Sequence, residues 1–150
     1  MAGSFACLYC HIVFSTKNRV PLLTPEVAPR VHEYLGGVIR GKQGVPVQIG
    51  GAADHVHVLC SQNKTEALTD LIRDLKSCTT AWVHTTFPAL PHFAWQEGYG
   101  AFSISVTGLD RVAAYIAGQE AHHQQESFQD ELRRFLRVHG IVFDERYIWQ

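Results

Sequence analysis

The sequence predicts an α+β domain in which helices pack on an antiparallel β-sheet. Short runs rich in β-branched and aromatic residues alternate with longer amphipathic segments, and turn residues separate the two kinds of run. With 150 residues, 46% of them hydrophobic, the chain is long enough for one core and short for two. No internal repeat or linker divides it, so we expect a single domain over residues 1–150.

A strand and a helix open the chain. Residues 5–15 are rich in β-branched and aromatic side chains and lead into a polar turn at 16–19, which predicts the first strand. Thr24 and Pro25 are typical of an N-cap and a first helical position, and apolar residues then recur at helical spacing as far as Gly41. The first helix is therefore expected between Thr24 and Gly41.

Two strands and a second helix follow. The runs 45–49 and 55–60 are short and strand-like, and residues 50–54 between them predict a hairpin with a loop of about five residues. Thr65 can cap a segment with one apolar face, and this helix should end before Pro88.

The last third of the chain predicts one strand and two helices. Apolar residues alternate with serines over 102–106, which is typical of a half-buried strand. Asp110 can cap a helix that runs toward His123, and Ser127 begins a capping-box pattern for a last helix that stops at Gly140. The first six predicted elements match the split βαβ, or ferredoxin-like, arrangement, an antiparallel sheet with helices on one face. Many functions use this fold, so the function must be argued from a site.

Composition excludes several classes of protein. No stretch approaches the roughly 20 apolar residues that cross a bilayer, and the N-terminus lacks a charged and then apolar leader, so we expect a cytoplasmic protein without membrane contact. Cys7 and Cys10 have odd spacing in a predicted strand and should point to opposite faces. With only four cysteines in the chain, reduced and mostly buried thiols are favoured over a zinc site or a disulfide scaffold.

Charge is distributed unevenly along the chain. The net charge of −1 gives no support to indiscriminate binding of polyanions. Up to Thr80, however, eight Lys and Arg outnumber six Asp and Glu, whereas the remainder has five against eight. Any nucleic-acid surface should therefore draw on the first half. Each of these cations taken singly is equally compatible with ordinary surface charge.

His55-Val56-His57 is the sharpest pattern in the sequence. Strand alternation sends both imidazoles to one face, with Cα atoms about 6.5 to 7 Å apart, a span that two ligands of one divalent ion can close. Nine histidines in 150 residues produce roughly half a His-x-His by chance. A metal pair and a pair of ordinary core or surface histidines both remain open from this motif alone.

Four segments in order resemble one protein family. Residues 54–59 (DHVHVL) resemble the His-hydrophobe-His motif of the HUH single-strand nucleases, specifically the small one-tyrosine transposases of bacterial insertion sequences. Residues 11–19 resemble that family's first strand and turn, 93–103 the approach to its fourth strand, and 115–119 its catalytic tyrosine helix. The resemblance spans nearly the whole chain.

The resemblance implies a mechanism and a metal. Tyr115 matches the nucleophile, and His55, His57 and Gln119 match the ligands of a divalent ion, Mg²⁺ or Mn²⁺. It implies an HUH endonuclease fold, with a C-terminal catalytic helix, that cleaves and rejoins single-stranded DNA through a 5′-phosphotyrosine. Positions i and i+4 share a helix face, so Tyr115 and Gln119 should face the metal together. Without the family, Tyr115 would be interpreted as a core contact.

The resemblance also implies partners. The family forms homodimers in which the tyrosine helix can complete the partner's site, and it recognises subterminal hairpins in single-stranded element ends. Charge placement favours Lys17, Arg19, Arg73 and Lys76 as phosphate contacts. The neighbouring His122 and His123 are expected on an exposed helix surface.

Two other functions remain open. A domesticated, REP-type relative that binds DNA hairpins without mobilising them would keep every catalytic residue. A noncatalytic RNA-recognition module on the same scaffold is hinted at by residues 98–102 (GYGAF), although Glu97 replaces the basic lead residue and the segment enters strand four instead of strand three.

Overall fold

The computed structural model describes residues 3–150, which form one four-stranded antiparallel sheet in the order β2-β3-β1-β4. The strands are β1 (Tyr9–Ser15), β2 (Val45–Ala52), β3 (His55–Ser61) and β4 (Gly100–Ile104). The helices are α1 (Ala28–Gly41), α2 (Leu68–Thr86), α3 (Leu109–Ala117), α4 (Gln119–His122) and α5 (Phe128–Val138). The predicted α+β, ferredoxin-like order is confirmed.

Helices α1 and α2 cover one face of the sheet with an apolar core. Because side chains alternate along a strand, every second residue of the two central strands points into this core. Its fully buried members include Ile12 and Phe14 of β1, Val56 and Val58 of β3, Leu35 of α1 and Leu75 of α2. We call this side of the sheet the core face.

The C-terminal helices cover the opposite side, which we call the site face. Helix α5 buries Phe128 and Leu132 against Val13 and Phe102 of the sheet, while α3 lies across β2. The sequence predicted helices on one face with an additional catalytic helix. In the structure both faces are covered, because α5 also has an apolar stripe to bury.

The hairpin between β2 and β3 is tighter than predicted. Gly50 and Gly51, expected in the loop, continue β2 and pair with His57 and Val56. The reason for a glycine at position 50 is packing: a β-carbon there would lie only 2.6 Å from the carbonyl oxygen of Ile116 in α3. Because Gly50 has no side chain, α3 can approach the sheet closely at this point.

Several element boundaries also differ from the predictions. The predicted helix from Asp110 toward His123 is interrupted at Gly118, so it forms α3 and α4. Strand β1 begins at Tyr9 and leaves Cys7 exposed outside it. Two predictions for α5 are confirmed. The Ser127 side chain accepts a hydrogen bond from the Asp130 amide, and Gly140, with a φ of 67°, follows the helix end.

The cysteines and the hydropathy of the helices complete the description. All four thiols are free, as expected, but only Cys60 is buried, while Cys7 and Cys78 are exposed. Burial raises the pKa of Cys60 to about 12, which makes its thiol unreactive. None of the helices within residues 3–150 has the length and apolar character that a bilayer crossing requires.

Candidate active site

Strand β3 places the two histidines of the His-x-His motif side by side on the site face. Both side chains are fully buried, and Val56 between them points into the core. Nδ1 of His55 donates to the Asp54 carboxylate at 2.7 Å, and Nδ1 of His57 shares a hydrogen bond with Nε2 of His11 at 2.7 Å. These partners fix both rings, so that each Nε2 faces the same space beneath the C-terminal helices.

Helices α3 and α4 bring Tyr115 and Gln119 to this pair within one chain. Gln119 is buried, and its Oε1 lies 3.3 Å from Nε2 of His55. Tyr115 is half-buried, with its ring centroid 6.0 Å from that of His57. Its hydroxyl is hydrogen-bonded to Glu131 and lies 2.9 Å from an Arg134 guanidinium nitrogen. The four residues singled out in the sequence as nucleophile and metal ligands therefore lie in one cluster.

Glu131, from α5, is the centre of this cluster and is fully buried. Its Oε1 lies 2.8 Å from Nε2 of His57 and 3.6 Å from Nε2 of His55. Its Oε2 accepts the hydrogen bond from Tyr115 and lies 3.1 Å from Nε2 of His123. One carboxylate thus connects the histidine pair to the tyrosine.

His123 corrects an expectation from the sequence. It was expected on an exposed helix surface, yet its side chain is only 8% exposed and its ring centroid lies 4.2 Å from that of His55. Its neighbour His122 is 30% exposed and contacts Tyr115 and Glu126. The chain turns back after α4, and this turn carries His123 beneath α5.

Nε2 of His123 is buried and makes no hydrogen bond of acceptable geometry within residues 3–150, despite its closeness to Glu131. The candidate ligand atoms of His55, His57, His123 and Glu131 all lie within 4.8 Å of one another. An orphaned imidazole nitrogen among three other donors is suited to holding a metal ion.

Burial determines the protonation of the cluster. It lowers the pKa of His57 to about 4, although Glu131 opposes the shift, and it lowers the pKa of His11 to about 3. Burial alone would raise the pKa of Glu131, but the nearby His123 and His57 outweigh it and hold that pKa well below its usual range. At neutral pH the cluster therefore offers a carboxylate and the neutral His57 imidazole, the forms that bind metals.

The Tyr115 hydroxyl is held in its protonated form. Burial raises its pKa above the ordinary value, and the neighbouring Glu131 carboxylate raises it further. Because the phenolate is the better nucleophile, any nucleophilic role of this side chain would require additional positive charge nearby.

The four predicted DNA contacts are placed differently from one another. Lys76 donates to the main-chain carbonyls of residues 96–98, and burial lowers its pKa to about 8. Arg73 is exposed and pairs with aspartates of its own helix, and Arg19 stacks over a tryptophan ring near the C-terminus. Lys17 is exposed at the end of β1. The Lys76 ammonium is thus held by three main-chain carbonyls, whereas the Arg73 guanidinium, although paired, stays exposed to solvent.

Four residues of the cluster were missed by sequence reasoning: His11, Asp54, His123 and Glu131. A signal existed for Glu131, because it lies between Phe128 and Leu132 on the apolar stripe of α5, where a carboxylate requires an explanation. His11 shares a strand face with Val13, which pairs with His57. No local pattern distinguished His123 from a surface histidine.

Comparison with known proteins reveals similarity to transposases. The family described as "Transposase IS200 like" matches residues 4–119, more than half of the chain. The chain is 24% identical over 123 residues to the ISDra2 transposase TnpA of Deinococcus radiodurans, covering 77% of this chain and 84% of that protein. Tyr115, Gln119 and the His55–His57 pair lie inside the matched segment, whereas His123 and Glu131 lie beyond it.

Two solved structures share the fold. A crystal structure of a candidate transposase from D. radiodurans R1 has a TM-score of 0.66 and 24% identity, covering 80% of this chain and 96% of that one. A REP-associated tyrosine transposase bound to a REP hairpin has a TM-score of 0.59 and 13% identity, covering 91% of this chain and 88% of that one.

Proposed function

The chain belongs to the family of IS200-like transposases, and from this premise we propose that it cleaves and rejoins single-stranded DNA at insertion-sequence ends with Tyr115 as the nucleophile. The observation that carries the proposal is the position of the Tyr115 hydroxyl. The hydroxyl is hydrogen-bonded to Glu131, which belongs to a cluster of buried imidazole and carboxylate donors from the same chain. A tyrosine that only packed in the hydrophobic core would not require polar partners of this kind.

The proposed reaction conserves the energy of the DNA backbone. The Tyr115 oxygen attacks a phosphodiester, a new O–P bond forms, and the bond from phosphorus to the 3′-oxygen breaks. The products are a 5′-phosphotyrosine and a DNA strand whose 3′-oxygen takes up a proton, which balances the proton that the Tyr115 hydroxyl loses. Attack by a 3′-hydroxyl on the phosphotyrosine reverses these changes and rejoins DNA, so no nucleotide cofactor is needed.

His55, His57 and Gln119 would hold a divalent ion, Mg²⁺ or Mn²⁺. The surroundings fit such an ion, because the ring partners Asp54 and His11 turn both Nε2 atoms of the pair to one side. When bound, the ion would supply positive charge that favours the phenolate and offsets charge on the attacked phosphate. The protein itself positions the Tyr115 hydroxyl, through Glu131 and Arg134.

The proposed substrate is a single strand that carries a subterminal hairpin. One solved relative with the same fold is bound to a REP hairpin. In this chain the exposed Lys17 and Arg73 and the partly buried Arg19 are the proposed phosphate contacts. A homodimer that exchanges the tyrosine helix between protomers is a further part of the proposal, with Gly108 and Gly118, which flank α3, as the points where the chain could flex.

Covalent capture tests the proposed function. The protein is incubated with Mn²⁺ or Mg²⁺ and with single-stranded oligonucleotides tiled across the flanks of its gene, then separated on a denaturing gel. We expect an oligonucleotide–protein adduct that Tyr115→Phe abolishes. An adduct that persists in Tyr115→Phe rules out this nucleophile. Binding without cleavage under either ion would instead favour a hairpin-binding relative that does not mobilise DNA.

A further inference from the structure

Beyond residue 119, where the family match ends, the chain contributes two more donors to the cluster. We infer that His123 and Glu131 are additional metal ligands, and that this chain therefore binds a transition-metal ion such as Mn²⁺, Co²⁺ or Zn²⁺ in preference to Mg²⁺. The inference rests on the proposed function, because it concerns the ion of that same site.

The surroundings of Glu131 support its assignment as a metal ligand. Its carboxylate is fully buried, and no lysine or arginine of residues 3–150 lies within salt-bridge distance of it. Within that described part of the chain, the basic groups beside it are the imidazoles of His55, His57, His122 and His123. A buried carboxylate without a matching positive charge is costly, and a bound cation removes that cost.

The position of its ring nitrogen supports His123 as a ligand. Nε2 of His123 is buried and lies 3.1 Å from Oε2 of Glu131, but it makes no hydrogen bond of acceptable geometry with the described residues. It belongs to the same 4.8 Å group as the donor atoms of His55, His57 and Glu131. Three imidazoles and one carboxylate form this group, with the Gln119 amide oxygen beside it. Imidazole-rich sites favour transition metals, whereas Mg²⁺ prefers oxygen ligands and retains several waters.

A second group on the other side of Glu131, formed with His122 and Glu126, is less suited to an ion. There Nε2 of His122 already binds Glu126 at 2.6 Å, and Arg134 already neutralises Glu126 at 3.0 Å. Both His122 and Glu126 are also partly exposed to solvent. The ion is therefore assigned to the side of the His55–His57 pair.

Cobalt binding tests the inference without any DNA. Co²⁺ is titrated into metal-free protein and followed by calorimetry and by the visible absorption that imidazole coordination produces. We expect Glu131→Gln and His123→Ala each to weaken Co²⁺ binding by about tenfold or more, since even residues behind the ligands cost this much. Asp130→Asn, an exposed carboxylate one position away on α5, should bind as the wild type does.

Competition and thermal melting complete the test. A roughly hundredfold excess of Mg²⁺ should leave Co²⁺ bound, and Co²⁺ should raise the melting temperature of the wild type but not of Glu131→Gln. Circular dichroism of metal-free Glu131→Gln should match that of the wild type, which verifies that the variant folds. The inference is overturned if either variant binds Co²⁺ normally, if Mg²⁺ displaces it easily, or if Glu126→Gln weakens binding as strongly as Glu131→Gln.

Failure of the inference can be told apart from failure of the proposed function. If Co²⁺ binding depends on Glu131 but no covalent DNA adduct forms with any ion, the metal site stands and the proposed reaction does not. If the adduct forms while Glu131→Gln leaves Co²⁺ binding unchanged, the reaction stands and the additional ligands do not.

Discussion

The two faces of the sheet are made by the same strands but differ in what they bury. On the core face, β1 and β3 contribute Ile12, Phe14, Val56 and Val58 to an apolar core beneath α1 and α2. On the site face, the same two strands contribute the buried histidines His11, His55 and His57, and the helices above them bury a glutamine and a glutamate. Apolar burial stabilises the fold, whereas buried polar groups oppose folding unless they are partnered. The core face thus supports a site face organised for chemistry.

Removing the histidine pair should show the largest functional difference between the two faces. In the double variant His55→Ala, His57→Ala we expect adduct formation to fall by roughly 10²- to 10³-fold or more, because charge stabilisation at the attacked phosphate is lost. The measurement is the initial rate of covalent capture, with circular dichroism to verify folding. Wild-type rates in a folded double variant would show that the pair has no catalytic role.

Shortening a side chain on the core face should instead lower stability and leave the chemistry of the site intact. Leu35→Ala removes a fully buried side chain and should lower the free energy of unfolding by about 2–5 kcal/mol. Affinity for Co²⁺, measured at a temperature where the variant remains folded, should be unchanged. If metal affinity fell in proportion to stability, the two faces would not be separable.

Gly50→Ala tests how the helix that carries the nucleophile is seated on the site face. The new β-carbon would lie 2.6 Å from the Ile116 carbonyl oxygen, so α3 must shift. We expect a loss of about 1–3 kcal/mol in the free energy of unfolding, and a fall of up to about 10²-fold in the rate of adduct formation, because Tyr115 is displaced.

Gly37→Ala is the matched control for this change. Gly37 is exposed in α1, where a β-carbon meets nothing within 4 Å. An alanine there should leave adduct formation unchanged and stabilise the helix by up to about 1 kcal/mol. Equal effects of the two substitutions on the rate would mean that the seat of α3 is not what positions Tyr115.

The smallest effects are expected for the basic residues of α2. Arg73→Gln should weaken binding of single-stranded DNA modestly and reduce the slope of affinity against salt by about 1, since it removes one phosphate contact. Lys76→Gln should instead lower thermal stability, because it removes the donor to the carbonyls of residues 96–98. Filter binding across a salt series, together with thermal melts, distinguishes the two. If Lys76→Gln changed the salt dependence of DNA affinity more than Arg73→Gln does, Lys76 would be the phosphate contact and Arg73 would not.

Local patterns in the sequence predicted the core face well and the site face in part. Strand alternation correctly placed Val56 inward and His55 with His57 on the other side, because that rule depends only on neighbouring residues. Helix α5 was predicted from its cap and apolar stripe, but its contact with β1 and β4 depends on how the whole chain folds back.

Three of the four missed residues, His11, His123 and Glu131, share this long-range origin, whereas Asp54 is the chain neighbour of His55. Glu131 meets His57 across 74 residues of chain, and no spacing rule connects them. Gly50 had the appearance of a turn residue, since a glycine pair between two strands usually marks a loop. Its actual role depends on α3, which follows more than fifty residues later.

The closeness of Glu131 to four imidazoles has a consequence for the lifetime of the protein in a cell. Without a metal ion, α5 must bury the Glu131 carboxylate with only a tyrosine hydroxyl and imidazoles as partners, so this helix should be the last segment to dock and the first to detach. With the inferred ion, docking of α5 and metal binding become one event. Metal scarcity would then shorten the lifetime of the protein, through proteolysis of its detached C-terminal segment, before it limited the rate of each catalytic cycle.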